Sequence, residues 1–167
     1  MQKYKLHTHY KQILADTITP VSVYLKIRDK FPNSILLESS DYHANDNSFS
    51  YICFNPIASI KVENQKIETN FPDGFSEIIP IDSNVNVAKE IENFSNQFQT
   101  EKSDFKFITQ GLFGYISYDA IQYFEKNSIA NKSLENKIPE IYYAVYQNII
   151  AINHFKNEAY LFCHSID

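Results

Sequence analysis

Two neighbouring side chains are the first in the chain that could do chemistry together. Glu38 and Ser39 close the apolar run Ile35-Leu36-Leu37, which places a carboxylate and a hydroxyl where a strand ends. That pairing suits an ammonium ligand, since the carboxylate supplies charge and the hydroxyl adds a short hydrogen bond. Spacing alone favours the plainer alternative, a strand edge whose carboxylate meets solvent. A second stretch, Phe49-Ser50-Tyr51-Ile52-Cys53-Phe54-Asn55-Pro56, alternates small and aromatic residues before a turn signal and reads as a half-buried strand. A third, Gly111-Leu112-Phe113-Gly114-Tyr115-Ile116-Ser117-Tyr118-Asp119, holds two of the three glycines. Glycine inside strands marks a bend, a bulge or close backbone approach, and tight sheet packing is the favoured reading here.

Other chemistries fail on residue type. Three glycines leave no GxGxxG and no GxxxxGK[ST], so phosphate-cradling loops are excluded. His7 and His9 would share a face on a strand, but no carboxylate or cysteine lies nearby in sequence, and His43 sits in a loop beside Asp41 and Asp46. Metal binding is not supported by these spacings. His154 and His164 flank a closing hairpin, where capping or solvent exposure is expected. Cys53 and Cys163 form no CxxC pair and read as free, buried thiols. There is no GxSxG, and Cys163 and His164 diverge if they lie on a strand. No catalytic constellation emerges.

Charge narrows the partners further. The net charge is −5, and 14 of the 15 basic residues are Lys, with Arg28 alone able to offer a bidentate fork. A nucleic-acid footprint is therefore not expected, nor is an unaided clamp on phosphates or dicarboxylates. No run of 18 apolar residues occurs, and the start MQKYKLHTHY lacks a signal-peptide core, so the expectation is a cytoplasmic chain without membrane contact.

These candidate residues need elements to hold them. Thr19 is an N-cap with Pro20 as first helical residue, opening one amphipathic helix that Phe31-Pro32 stops. Residues 34–40 read as a strand, 41–48 as a polar loop and 49–54 as a strand ended by Asn55-Pro56. Segments 58–62 and 66–69 flank Glu63-Asn64-Gln65 as a hairpin. Residues 71–84, with Pro72, Asp73-Gly74 and Pro80, are the least ordered. Val87, Ile91, Phe94 and Phe98 recur at helical spacing and predict a surface helix. Strand formers fill 105–118, a short helix begins near Asp119, and 127–137 is a polar loop. Strands 141–152 and 158–164 close the chain as a hairpin. Strands follow strands without crossover helices, which predicts a single α+β domain over 1–167, with a mainly antiparallel sheet and a few flanking helices.

Taken in order, these segments resemble the N-terminal part of anthranilate synthase component I, a chorismate-utilising enzyme family. Leu36 to Ser39 matches its LLES box, and Ser48 to Pro56 is similar to its RYSFIGxxP stretch. Gln110 to Glu125 resembles its GGLxGYxSYDxVRYFE block. The tail from Ile138 to His164 looks like its closing hairpin, whose DHxxN turn reads Asn153-His154-Phe155-Lys156-Asn157 here. The likeness runs from about Thr17 to His164. Ser48 stands where the family usually has Arg, Cys53 where it has Gly, Gln110 where it has the first Gly, and Gln122 where Arg is common.

The resemblance implies an enzyme of tryptophan biosynthesis that makes anthranilate from chorismate, with a glutamine amidotransferase subunit as partner. It implies that chorismate and Mg²⁺ are handled by a C-terminal catalytic domain absent from this chain, so no cofactor and no catalytic residue are expected here. The implied role is feedback sensing of L-tryptophan, with Glu38 facing its ammonium group, Ser39 bonding its polar head and Ser50 as a weaker third candidate. Loss of the catalytic half would leave an apolar face and open strand edges, so a homodimer is one expected state. Two alternatives stand beside this reading: the similarly laid-out component of aminodeoxychorismate synthase, and a stand-alone small-ligand-binding module.

Overall fold

Long strands form where β-branched and aromatic residues run on, and two such runs organise the molecule. The computed structural model describes residues 3–38, 48–125 and 138–166. Among them, β1 (Tyr4–Leu14), β2 (Ile35–Glu38), β3 (Phe49–Glu63), β4 (Lys66–Asn70), β5 (Ser76–Pro80), β6 (Phe98–Thr100), β7 (Leu112–Ile116), β8 (Ile141–Asn153) and β9 (Glu158–Ile166) form one sheet. Its main order is β5-β4-β3-β8-β9-β1-β6, with β2 added to β3 and β7 to β8. Every pairing is antiparallel except β1 with β6. The α+β class and mainly antiparallel sheet expected from the sequence are what the chain adopts.

β3 and β8 pair along their whole length, and each serves two neighbourhoods. The first half of β3 is flanked by β2 and the second half of β8, whose far side meets β9. The second half of β3 is flanked by β4 and the first half of β8, whose far side meets β7. Asn55-Pro56 does not end the strand, as the turn signal predicted. Asn55 adopts φ of 59°, a left-handed conformation that Asn tolerates, and the register shifts between Pro56 and Ala58 while pairing continues.

Two helices cover the sheet. In α1 (Pro20–Arg28) the capping box closes as the sequence suggests: Thr19 Oγ1 accepts from the Ser22 N–H at 3.2 Å, and Ser22 Oγ accepts from the Thr19 N–H at 3.3 Å. Ile18, Val23, Tyr24 and Ile27 then pack on Leu36, Ile52 and Ile152. In α2 (Val87–Ser95), capped by Asn86, buried Val87 and Phe94 join Ile60, Val62, Ile67 and Ile141. The opposite face of the β3–β8–β9 region is covered by Phe105 and Phe107, which lie against Phe49, Tyr160 and Phe162. A 3₁₀ helix spans Tyr118–Tyr123. Residues 127–137, expected as a loop, lie outside the described residues.

Three further expectations are corrected. Phe98, counted with Val87, Ile91 and Phe94 at helical spacing, lies beyond the end of α2 at Ser95 and begins β6. β1 was not anticipated as a strand, and it runs beside β9 over nine register pairs from Leu6–Ile166 to Leu14–Glu158. Within residues 71–84, whose prolines and glycine predict the least ordered stretch, β5 pairs with β4 from Asn70–Ser76 to Lys66–Pro80. Pro80 fits there because it occupies the end of an outer strand.

Candidate functional site

Glu38 is the last residue of β2 and lies directly opposite Ser50 on β3. Opposite residues of a sheet project to the same face, so the two side chains leave β2 and β3 on one side of the sheet. Glu38 is exposed, whereas Ser50 is fully buried. A polar group buried to that degree needs a partner. It has one in the imidazole of His154, with Oγ and Nε2 2.7 Å apart and the direction of the bond set by the ring tautomer.

The turn after β8 holds that imidazole in place. Asn153 Oδ1 accepts from the N–H groups of Phe155 at 3.0 Å and Lys156 at 2.9 Å, which fixes the hairpin. The His154 N–H donates to the Ser48 carbonyl at 3.1 Å. His154 therefore binds the start of β3 through both backbone and side chain. The sequence reading placed it as a cap or in solvent and missed this role; the Asn-His-x-x-Asn turn was the signal that marked it. The hydroxyl–imidazole distance would also suit a nucleophile and its base. Ser50 has no accessible surface for a substrate carbonyl, so the pair ties the turn after β8 to the start of β3 rather than forming a reacting dyad. Ser39, the remaining candidate, lies outside the described residues.

The third motif sits on the other half of β8. Gly114 faces Tyr143 in register, and a Cβ there would collide with the backbone carbonyl of Tyr142. This is the close backbone approach its glycine suggested. The four sequence blocks thus converge on β3 and β8.

On the face opposite Glu38, residues 101–110 cross β1 and β9. A cavity of about 280 Å³ beneath them is lined in part by Thr8, Tyr10, Phe105, Gln110 and Phe162. A second, of about 240 Å³, also touches Gln110. The Gln110 amide spans between them, accepting from Thr8 Oγ1 at 3.1 Å and donating to the Glu101 carbonyl at 2.6 Å. Behind Thr8, His164 is buried with Nδ1 2.9 Å from the Thr8 hydroxyl, a correction to its expected exposure. Burial depresses its pKa, outweighing the nearby Thr109 carbonyl. Cys53 is buried and its thiol pKa is pushed up by burial, while Cys163 is exposed, so only one of the two expected buried thiols is buried.

Among the described residues, no three His, Cys, Asp or Glu side chains converge as metal ligands. No helix among them is long and apolar enough to cross a membrane.

A family model described as chorismate binding enzyme matches residues 33–167. Anthranilate synthase component 1 of Lactococcus lactis is 32% identical over 160 residues, covering 91% of this chain and 31% of that protein. Its counterpart from Acinetobacter calcoaceticus is 26% identical over 161 residues, covering 93% of this chain and 32% of its own length. The crystal structure of anthranilate synthase component I from Streptococcus pneumoniae aligns with a TM-score of 0.51 at 21% identity, over 89% of this chain and 30% of that one. That last likeness speaks for the fold alone. The chain spans just under a third of the length of these curated relatives.

Proposed function

The chain belongs to the chorismate-binding enzyme family, and on that premise we propose that it is the tryptophan-sensing segment of an anthranilate synthase component I. The observation that carries the reading is the pairing of exposed Glu38 with Ser50, whose hydroxyl is anchored by His154. A carboxylate on a rigid strand end, beside a supported neighbour, is a fitting seat for the ammonium group of an amino acid. Ser39, next in sequence, would bond the same polar head. The names of the relatives favour the anthranilate branch over aminodeoxychorismate synthesis.

Magnitudes say what else is needed. An exposed ion pair is worth about 0–1 kcal/mol, whereas micromolar binding requires about 8 kcal/mol. Glu38 alone cannot hold tryptophan; burial of the indole against a second surface must supply the rest. In this reading that surface belongs to a catalytic domain, which also meets chorismate, Mg²⁺ and a glutamine amidotransferase. Tryptophan inhibits by binding the inactive arrangement of the two parts more tightly than the active one.

The test is anthranilate fluorescence from the enzyme containing this chain, titrated with tryptophan. Glu38→Ala and Ser39→Leu should each raise the half-inhibitory concentration about tenfold or more while kcat stays near its starting value, the loss of about 1.4 kcal/mol of selective binding. Unchanged inhibition in both variants overturns the assignment. Calorimetry on the 167-residue chain by itself should find millimolar binding at best.

A further inference from the structure

The outer edge of β1 has a self-complementary register. Three observations fix which backbone groups point outward. The Ala15 N–H donates inward to Asn157 beyond the end of β9. The Tyr4 N–H donates outward to Gln97, ahead of β6. The Thr8 N–H reaches the Glu101 carboxylate, again on the outer side. Peptide groups alternate along a strand, so the N–H and C=O of even-numbered residues face away from β9. β6 pairs only with Tyr4, Lys5 and Leu6. Among the described residues, the outward groups of Tyr10, Gln12 and Leu14 have no sheet partner. The side chains beside them are exposed too, Tyr10 at 59% and Leu14 at 69%.

An open edge of this kind is a template for another strand. We propose that it pairs antiparallel with the same edge of a second copy of this chain, about a two-fold axis through Gln12. That axis sets Gln12 opposite Gln12 and Tyr10 opposite Leu14, twice by symmetry. Every outward N–H and C=O of the three residues then finds a mate, and both exposed apolar side chains gain a cross-strand neighbour. Lys11 falls opposite Ile13, so no like charges lie directly across from one another. Moving the axis by one residue to Lys11 sets lysine against lysine and leaves Tyr10 opposite Gln12. The even-numbered register about Gln12 is the one in which backbone pairing, apolar contact and charge agree.

Sedimentation equilibrium of the 167-residue chain tests this. A monomer–dimer equilibrium is expected between micromolar and near-millimolar concentration. Gln12→Lys and Gln12→Glu each place like charges directly across the axis and should weaken association about tenfold or more. Both sit on an exposed strand position, so circular dichroism and the melting temperature should stay close to those of the parent. An equimolar mixture of the two variants should associate again, because lysine then meets glutamate. A chain that stays monomeric, a dimer untouched by either variant, or a mixture that fails to recover association each overturns the proposal.

Discussion

His164 shows how a residue can be read correctly in one respect and wrongly in another. Its divergence from Cys163 follows from strand geometry, and the structure agrees, with His164 buried and Cys163 exposed. Its burial was not visible, because that depends on residues 101–110 crossing over β1 and β9. The folded pKa lies below the ordinary 6.5, so the folded chain binds fewer protons there than the unfolded one as pH falls. The stability owed to the neutral ring is full above about pH 6.5 and declines through the acid range towards the lower folded pKa. Urea melts between neutral and mildly acid pH should show this decline, and His164→Gln should flatten it. The candidate site divides in a similar way. Glu38 was legible from the apolar run before it, while the bond that His154 makes to Ser50, opposite Glu38 in register, spans 104 positions.

Helix caps and the long central strands were easier to read than β1, β5 and β6. Thr19 and Pro20 announce α1 because a cap is satisfied by atoms three residues apart. β1 carries no such local mark. Its sequence YKLHTHYKQIL alternates loosely, and its conformation is fixed by β9, more than 140 residues later. β5 was hidden by Pro72, Gly74 and Pro80, signals that bound the outer strand without preventing it. Gly114 was legible in kind, since only a close neighbour makes a mid-strand glycine worth its loss of packing. Gly114→Ala should force β7 away from β8 and cost about 3 kcal/mol of stability. Chemical denaturation measures this; Gly74→Ala is a useful contrast, because nothing lies within 4 Å of a Cβ there and only its φ of 81° is strained.

At the scale of the molecule, shared strands join what would otherwise be two sheets. The core around Ile60, Val62 and Ile141 and the core around Ile52 and Ile152 are threaded by the same β3 and β8. Neither half can lose its central pair without disturbing the other. The chain should therefore unfold in one step. Near-ultraviolet and far-ultraviolet circular dichroism should give coincident urea transitions, and central amides such as those of Ile52 and Ile60 should exchange with similar protection. Two separate transitions would show that the halves are independent.

The kink at Asn55–Ile57 puts a further constraint on the chain, one of residue count rather than residue type. On either side of it, the even-numbered positions of β3 point towards a core: Ser50 and Ile52 before, Ile60 and Val62 after. The register steps from Pro56–Tyr146 to Ala58–Val145, so Ile57 is an extra residue on β3; losing it alone would leave Ala58 onward paired with β8 as now, whereas losing a second residue would invert the parity downstream. Lys61 and Glu63 would turn inward, where Ile60 and Val62 now sit, and their present contacts with Glu68 and each other would be lost. A second missing codon there would therefore be far more damaging than the first, although Ile57 is the one residue of the kink that packs against a core.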